Sequence, residues 1–211
     1  MNICSHTFEE YIRLVESFHG HVAPGMVVGG VMVDLALKHL HLPKDGMLDA
    51  VCETPTCLPD AIQLLTPCTI GNGWLKIINV GRFAIVLYEK HGSEGIRVFL
   101  DSGKIEEWTA IKSWLFKLKP KKEQDFQLLI DQIREAESSI YGIQRVKLAS
   151  HFLEKRRRGA IGICPLCGEA YPLNDGENCR ACQGEVPYIV SQILDDRGVL
   201  VKREEGGGSQ E

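Results

Sequence analysis

Four cysteines near the C-terminal end of the chain have the spacing of a metal site. They form two C-x-x-C pairs, Cys164 with Cys167 and Cys179 with Cys182, and eleven residues separate the pairs. Two thiolates on one tight turn can both reach a single ion, at metal–sulfur distances of about 2.3 Å. Two such pairs fill the tetrahedral shell of Zn²⁺ and leave no open position, so the spacing predicts a structural zinc ribbon.

The four cysteines have two other interpretations. Redox-active C-x-x-C pairs of the thioredoxin type need a βαβ context, and the Cys-rich segment is too short to supply one. Iron remains a rival for the same site, because it accepts the same four-thiolate geometry.

A second group of potential ligands lies in the N-terminal half. His19 and His21 share an H-G-H loop, and Cys57 and Cys68 flank a short predicted helix. Each of them also has an ordinary explanation. Free cysteine is often a small buried apolar residue, a histidine can end a helix, and Asp60 can satisfy free N–H groups at a helix start.

The order of these residues resembles a known family. Residues 18–25 read F-H-G-H-V-A-P-G, and residues 57–73 read C-L-P-D-A-I-Q-L-L-T-P-C-T-I-G-N-G. The FmdE-like family, named for the E subunit of formylmethanofuran dehydrogenase, has F-H-G-H-x-C-P-G and C-x-x-D-A-I-Q-x-x-T-x-C-T-x-G-x-G blocks, often followed by a zinc ribbon. The resemblance covers about residues 8–101 and 163–184.

This resemblance implies an α-β-α-β-β-β mixed sheet like the second domain of glyceraldehyde phosphate dehydrogenase. It also implies a second metal ion, Zn²⁺, in a groove between the H-G-H loop and the Cys block. A homodimer and association with molybdenum or tungsten oxidoreductase subunits are implied as well.

The chain departs from the family pattern at one position, where Ala23 replaces the loop cysteine. His19, His21, Cys57 and Cys68 could still form a mixed nitrogen–sulfur shell. A three-ligand site with an open position, or loss of the site, are the alternatives. If metal binds, an acceptor should orient each histidine, and Asp60 is a candidate for that role.

The elements that position these residues follow from periodicity and breakers. Apolar spacing predicts a helix over Phe8–Ser17, and Pro24 opens a second helix over Gly25–His41. Met47–Glu53 reads as a strand and Leu58–Leu65 as a helix, with three strands next. These strands are predicted at Trp74–Val80, Phe83–Lys90 and Gly95–Asp101, joined by hairpins at 81–82 and 91–94. Helices are expected over Lys104–Leu118 and, as one long stretch, over Lys121–Arg158.

The fold class is therefore α+β, a mixed-sheet core with helices, followed by a long helical linker and a small zinc ribbon. We divide the chain into an FmdE-like domain (1–118), a helical linker (119–160), a Cys4 zinc ribbon (161–192) and a largely disordered tail (193–211).

Composition limits the possible partners. A net charge of −4 gives no general attraction to nucleic acid or to a membrane surface. The chain starts without a secretory signal and has no long apolar run, so a cytoplasmic protein is expected. Residues 112–122 contain five lysines and no acidic residue. A solvated helix face is favoured over a phosphate contact there, since no recognition pattern accompanies the lysines.

Three functions are compatible with these features. The first is a metal-binding accessory protein of a molybdenum or tungsten oxidoreductase. The second is an enzyme that uses an open metal site in the core groove. The third is a zinc-ribbon nucleic-acid or regulatory protein, which is disfavoured because residues 155–211 carry eight basic and nine acidic side chains.

Overall fold

The computed structural model describes residues 1–43, 46–153, 159–192, 194 and 196–199. The chain divides into two compact units, Met1–Glu154 and Lys155–Glu211. The end of the predicted long helix, 154–158, and most of the tail predicted to be largely disordered, 193, 195 and 200–211, lie outside the described residues. Within the described part, no helix is long and apolar enough to span a bilayer.

The N-terminal unit combines helices with short strands. In chain order they are β1 (Asn2–Ile3), β2 (His6–Thr7), α1 (Phe8–His19), α2 (Pro24–His39), β3 (Leu48–Cys52), α3 (Leu58–Leu65), β4 (Leu75–Ile77), β5 (Ala84–Glu89), β6 (Glu94–Leu100), α4 (Thr109–Leu115), α5 (Phe126–Ala136), β7 (Tyr141–Lys147) and α6 (Ser150–Leu153). This order confirms the predicted α-β-α-β-β-β core.

One five-stranded mixed sheet, in the order β4-β3-β5-β6-β7, forms the centre of this unit. β3 and β4 are parallel, and the other neighbours are antiparallel. The predicted hairpin at 91–94 joins β5 to β6, but the one predicted at 81–82 is wrong, because β4 pairs with β3 and not with β5. The connection from β4 crosses to the other side of β3, and Arg82 forms an ion pair with Glu53 just beyond the end of β3.

The helix α2 is the buried centre of the helical layer. Its residues from Gly25 to Ala36 are all buried, which is expected of a helix with apolar residues on every side. Its one charged residue in this stretch, Asp34, accepts the backbone N–H of Cys4 at 2.9 Å and pairs with Lys38 at 2.6 Å. Small glycines let its neighbours approach, since a β-carbon on Gly30 would stand 2.4 Å from the ring of Tyr11.

The predicted long helix over Lys121–Arg158 is wrong. The helix α5 ends at Ala136, and the next residue, Glu137, has a φ of 46° that is incompatible with a continuing helix. β7 then pairs along its whole length with β6 and becomes the fifth strand. The cause is a tertiary contact. Without β7, the edge of β6 would expose unpaired N–H and C=O groups, and the residues that follow α5 form hydrogen bonds with them.

The C-terminal unit contains a short hairpin, β8 (Ile161–Ile163) with β9 (Ala170–Pro172), and a helical turn over Ala181–Glu185. Among its described residues, the buried side chains are Cys164, Tyr171 and Cys179. Tyr171 donates its hydroxyl toward the carbonyl oxygens of Gly176 and Glu177, at 3.0 and 2.9 Å. Three buried side chains make a very small apolar core, so this unit needs another source of stability.

Candidate metal centre and ligand groove

The four cysteines of the C-terminal unit converge as their spacing predicts. Cys164 Sγ lies 3.9 Å from Cys182 Sγ, and Cys167 Sγ lies 3.7 Å from Cys179 Sγ. All four sulfur atoms lie within 4.8 Å of one another. Tetrahedral Zn²⁺ with bonds of about 2.3 Å holds its sulfurs about 3.8 Å apart, so the cluster fits one such ion.

Local backbone geometry favours a thiolate at Cys164. The backbone N–H of Cys179 donates to Cys164 Sγ at 3.4 Å. This and neighbouring N–H groups lower the pKa of the Cys164 thiol to about 6. The two glycines that follow the pairs, Gly168 and Gly184, have φ values of 79° and 89° and provide the turns that the sequence predicted.

The arrangement of the two pairs also defines the type of zinc finger. Cys164 and Cys167 lie in the turn of the β8–β9 hairpin, whereas Cys182 lies in the helical turn and Cys179 just before it. A hairpin followed by a helical turn differs from a ribbon, in which both pairs lie on hairpins. The C-x-x-C spacing alone does not distinguish the two.

A groove in the N-terminal unit contains most of the second predicted constellation. It has a volume of about 840 Å³. The lining residues are His19, His21, Val22, Ala23, Pro24, Gly25, Cys57, Trp114, Lys117, Lys119, Pro120, Lys121, Gln124, Phe126 and Leu129. Both histidines of the H-G-H loop, Ala23 and Cys57 therefore face one cavity, as the family resemblance implied.

Cys57 occupies an unusual backbone conformation at the edge of this groove. Its φ and ψ are 55° and −49°, and the N–H of Leu58 donates to the carbonyl oxygen of Thr56 at 2.6 Å. A three-residue turn with these angles is a γ-turn of the rare, strained kind. It places the Cys57 side chain directly before α3. Backbone strain of this type is concentrated at functional sites.

The thiol of Cys57 is partly buried, and its surroundings have opposing effects on it. Burial raises the pKa of the Cys57 thiol, the Asp60 carboxylate raises it further, and the Lys121 ammonium lowers it. A nearby cation is therefore part of the electrostatic environment of this sulfur.

The two histidines are held differently. His19 ends α1, and Gly20 follows it in a left-handed conformation with its N–H bonded to Glu16. His19 Nδ1 lies 2.8 Å from a carboxylate oxygen of Asp60, the acceptor that the sequence proposed for this role. The hydrogen bond occupies Nδ1 and leaves Nε2 as the nitrogen for a ligand. The ring of His21 lies 4.9 Å from that of His19, centroid to centroid.

Cys68 does not line the groove. It is fully buried in the apolar core, and its Sγ donates to the carbonyl oxygen of Leu48 at 3.2 Å. Burial raises the pKa of this thiol to about 11. Its contacts are those of the buried apolar cysteine that the sequence left open as the alternative.

The core residues form no ready-made metal shell. Within the described ranges, the Cys4 cluster is the one group of three or more ligating side chains whose atoms lie within 4.8 Å of one another. His19, His21 and Cys57 share a cavity but have not converged on one point. Ala23, buried beside them, supplies no ligand atom in place of the family cysteine.

Sequence reasoning missed the lysines on the opposite wall. Lys117, Lys119 and Lys121 line the groove from the loop between α4 and α5, not from a solvated helix face. The signal that points to them is the run of five lysines without an acidic residue over 112–122, and it was the lack of a recognition pattern that favoured a solvated helix face. The two cysteines without paired spacing are ordinary thiols: Cys52 is buried and bonded to the Thr54 carbonyl, and Cys4 is partly buried beside Asp34.

Comparison with known proteins agrees with this architecture. Residues 18–150 match the family described as "FmdE, Molybdenum formylmethanofuran dehydrogenase operon", and residues 155–189 match the FmdE treble clef zinc finger. A crystal structure of a tungsten formylmethanofuran dehydrogenase FmdE-like protein from Syntrophus aciditrophicus superposes with a TM-score of 0.80. It is 51% identical, and the match covers 89% of this chain and 98% of the Syntrophus chain.

A curated relative from Archaeoglobus fulgidus, named a probable S-adenosyl-L-methionine-binding protein, is 26% identical over 196 residues. The match covers 84% of this chain and 53% of the relative. The chain thus spans about half the length of the curated relative it matches.

Proposed function

The chain belongs to the FmdE family, and from this premise we propose that it is a metal-binding accessory protein of a molybdenum or tungsten oxidoreductase. Its Cys4 zinc finger has a structural role, and the groove of the N-terminal unit is its ligand site. The observation that carries the proposal is the shared cavity of His19, His21 and Cys57, with Asp60 orienting His19.

The zinc finger supplies structure and not reactivity. Four thiolates satisfy a tetrahedral ion completely, which leaves no position for a substrate. Because the C-terminal unit buries so few side chains, the free energy of metal binding is also its folding free energy.

The groove is the proposed site of a second ion with an open position, because it brings His19, His21 and Cys57 to one cavity. His19, His21 and Cys57 would hold that ion, and a bound metal would there supply Lewis acidity or a coordination position for a ligand. The protein's own contribution is orientation: Asp60 fixes the ring of His19, and the γ-turn fixes the thiol of Cys57.

Metal content tests this site. Wild-type protein grown with zinc should contain about two ions per chain, and Cys57→Ser should contain about one. Cys4→Ser is the matched control, since it removes another partly buried thiol that lies outside the groove. One ion in both the wild type and Cys57→Ser would refute the second site and leave the zinc finger untouched.

Association with an oxidoreductase is tested separately. Affinity-tagged chain should co-purify with subunits that contain molybdenum or tungsten, detected by metal analysis of the eluate. A homodimer is part of the same proposal, and sedimentation equilibrium should give twice the chain mass. An eluate free of both metals in the native host would refute the accessory role.

S-adenosylmethionine is a second candidate ligand, suggested by the name of the Archaeoglobus relative. The groove argues against it. S-adenosylmethionine carries a sulfonium, an ammonium and a carboxylate group, which give it a net positive charge, whereas the described lining contains three lysines and no carboxylate. The lysines repel a ligand of net positive charge.

A further inference from the structure

We propose that the groove selects an organic anion, a ligand with a flat apolar body and a net negative charge carried by a carboxylate, phosphate or sulfonate group. This inference rests on the proposed function only in taking the groove as the ligand site. It adds the chemical class of that ligand, and it follows from the charge, walls and backbone of the groove.

The charge of the groove differs from that of the protein. The chain carries 28 acidic and 24 basic residues, yet the described lining has three lysines, two histidines and no Asp or Glu, and the nearby Asp60 carboxylate is bonded to His19 Nδ1. Lys117, Lys119 and Lys121 form no ion pair among the described residues, although lysines elsewhere, such as Lys112, do. A cavity with one sign of charge and apolar walls concentrates ligands of the opposite sign.

The lysines are presented by a shaped loop. Lys117 has a φ of 54°, and the N–H of Leu118 bonds to the carbonyl of Ser113 at 3.0 Å. Gln124 donates its side-chain amide to the carbonyl of Lys119 at 3.0 Å. Lys117, Lys119, Pro120 and Lys121 of this loop line the groove, whereas Leu118 does not.

An aromatic wall lies beside these charges. Trp114 and Phe126 line the groove, and the ring of Phe83 packs edge-on against Trp114 with a centroid distance of 5.5 Å and an interplanar angle of 87°. This contact fixes the plane of the indole. A fixed aromatic surface favours a flat apolar ligand body through stacking and burial.

The start of α2 adds a further positive contribution. Pro24 and Gly25, the first residues of this helix of sixteen residues, line the groove. Ala23 provides no side-chain cap, and the first turn has no acidic residue, so the positive end of the helix dipole is not neutralised by the chain itself. An anion bound in the groove would neutralise this positive end of α2.

Two fluorescent probes test the inference. Anilinonaphthalene sulfonate and phenylnaphthylamine share a ring system and differ in the sulfonate. Wild-type protein should bind the sulfonate at least about fivefold more tightly, with loss of that preference in concentrated salt. Lys119→Gln/Lys121→Gln should weaken the sulfonate about fivefold and leave the neutral probe unchanged, since each exposed charge contributes modestly.

Controls keep the test specific to the groove. Lys122→Gln/Lys147→Gln removes the same charge from exposed lysines outside the lining and should leave both probes unaffected. Trp114→Phe should reduce the quenching of protein fluorescence by the bound sulfonate. Equal affinity for the two probes, an equal effect of both lysine pairs, or tighter binding of S-adenosylmethionine than of the sulfonate would overturn the inference.

The proposed second metal ion can be tested separately from the anion preference. Titration with Co²⁺ on the same preparations reports Cys57 through its thiolate charge-transfer band. A Cys57-dependent band without anion preference refutes this inference alone. Anion preference without such a band refutes the second metal ion alone and upholds the groove as an anion site.

Discussion

Cys57 Sγ lies so close to the first turn of α2 that a β-carbon on Gly25 would stand 2.9 Å from it. The same β-carbon would stand 2.8 Å from the β-carbon of Cys57, which is tied to the backbone and unable to move aside. The position of the thiol is therefore set by the packing of α3 against α2, and a glycine is required where the two elements meet.

Gly25→Ala should destabilise the protein and displace the thiol. Overpacking of this kind costs about 1–3 kcal/mol, more than the small gain in helix propensity. Denaturant unfolding measures the loss, and a Co²⁺ titration should show a weaker thiolate band. Gly103→Ala is the control, because its β-carbon would meet nothing closer than 3.5 Å. An unchanged midpoint of denaturant unfolding for Gly25→Ala would show that the neighbouring groups move aside at little cost.

Gly29→Ala distinguishes a general loss of helix packing from a specific effect on the Cys57 thiol. Its β-carbon would stand 2.7 Å from that of Ala61, one turn further along the same α2–α3 contact. We expect a loss of stability similar to that of Gly25→Ala, about 1–3 kcal/mol. Retention of the Co²⁺ band in Gly29→Ala and its loss in Gly25→Ala would assign the effect on metal to the thiol itself.

Removal of zinc should unfold the C-terminal finger. The described residues of this unit bury three side chains, too few to replace the ion. A strong chelator should strip the Zn²⁺ of the finger and abolish the amide protection of the β8–β9 hairpin in hydrogen exchange. Cys179→Ser should have the same effect without chelator, whereas Cys4→Ser should not. Persistent protection in the metal-free protein would contradict the structural role.

Glu53→Gln should be costly at neutral pH. The Glu53 carboxylate receives two hydrogen bonds from Arg97, at 2.7 and 2.9 Å, and pairs with Arg82 at 2.7 Å. Its side chain is 9% exposed, so its removal leaves a partly buried cation without its partner. A loss of about 2–4 kcal/mol is expected. Glu106→Gln, at a pair whose acid is 63% exposed, should cost less than about 1 kcal/mol.

The interaction of Glu53 with Arg97 and Arg82 also predicts that stability depends on pH. The two arginines lower the pKa of Glu53 below its ordinary value of 4.5. A carboxylate with a lowered pKa stabilises the fold above the unfolded value, and the contribution is lost as the pH falls through the folded value. The difference in unfolding free energy between wild type and Glu53→Gln should therefore be constant above about pH 5 and shrink in more acidic solution.

Asp60→Asn should free the ring of His19. In the wild type, Asp60 accepts from Nδ1 at 2.8 Å and fixes the tautomer. An amide can accept or donate, so both tautomers become accessible. Nitrogen NMR of the histidines should show this change, and affinity for an ion in the groove should fall about tenfold or more. Asp131→Asn, on the exposed face of α5, is the control.

Local sequence was sufficient to predict the secondary-structure elements that contain the motifs. Leu58–Leu65 forms the predicted helix at its predicted bounds, because Pro59 and the helical spacing of apolar residues determine it locally. The metal cluster was also local, since two C-x-x-C turns close on one ion without help from distant residues.

Structural features that depend on residues far apart in the sequence could not be predicted from local patterns. Ile140, Ile143 and Val146 fit helical spacing and strand propensity almost equally well, and the edge of β6 decided between them. Cys57 and Cys68 have the same standing in the motif, yet one faces the groove and the other the core. The sequence orders ligands along the chain but does not orient them.

The backbone at Cys57 has a consequence for stability. A glycine adopts the angles of this γ-turn at little cost, so Cys57→Gly would relax the chain while removing its sulfur. Cys57→Gly should therefore raise the free energy of unfolding while it removes the thiol that lines the groove. The conformation that presents the Cys57 side chain to the groove thus costs the fold some of its heat tolerance.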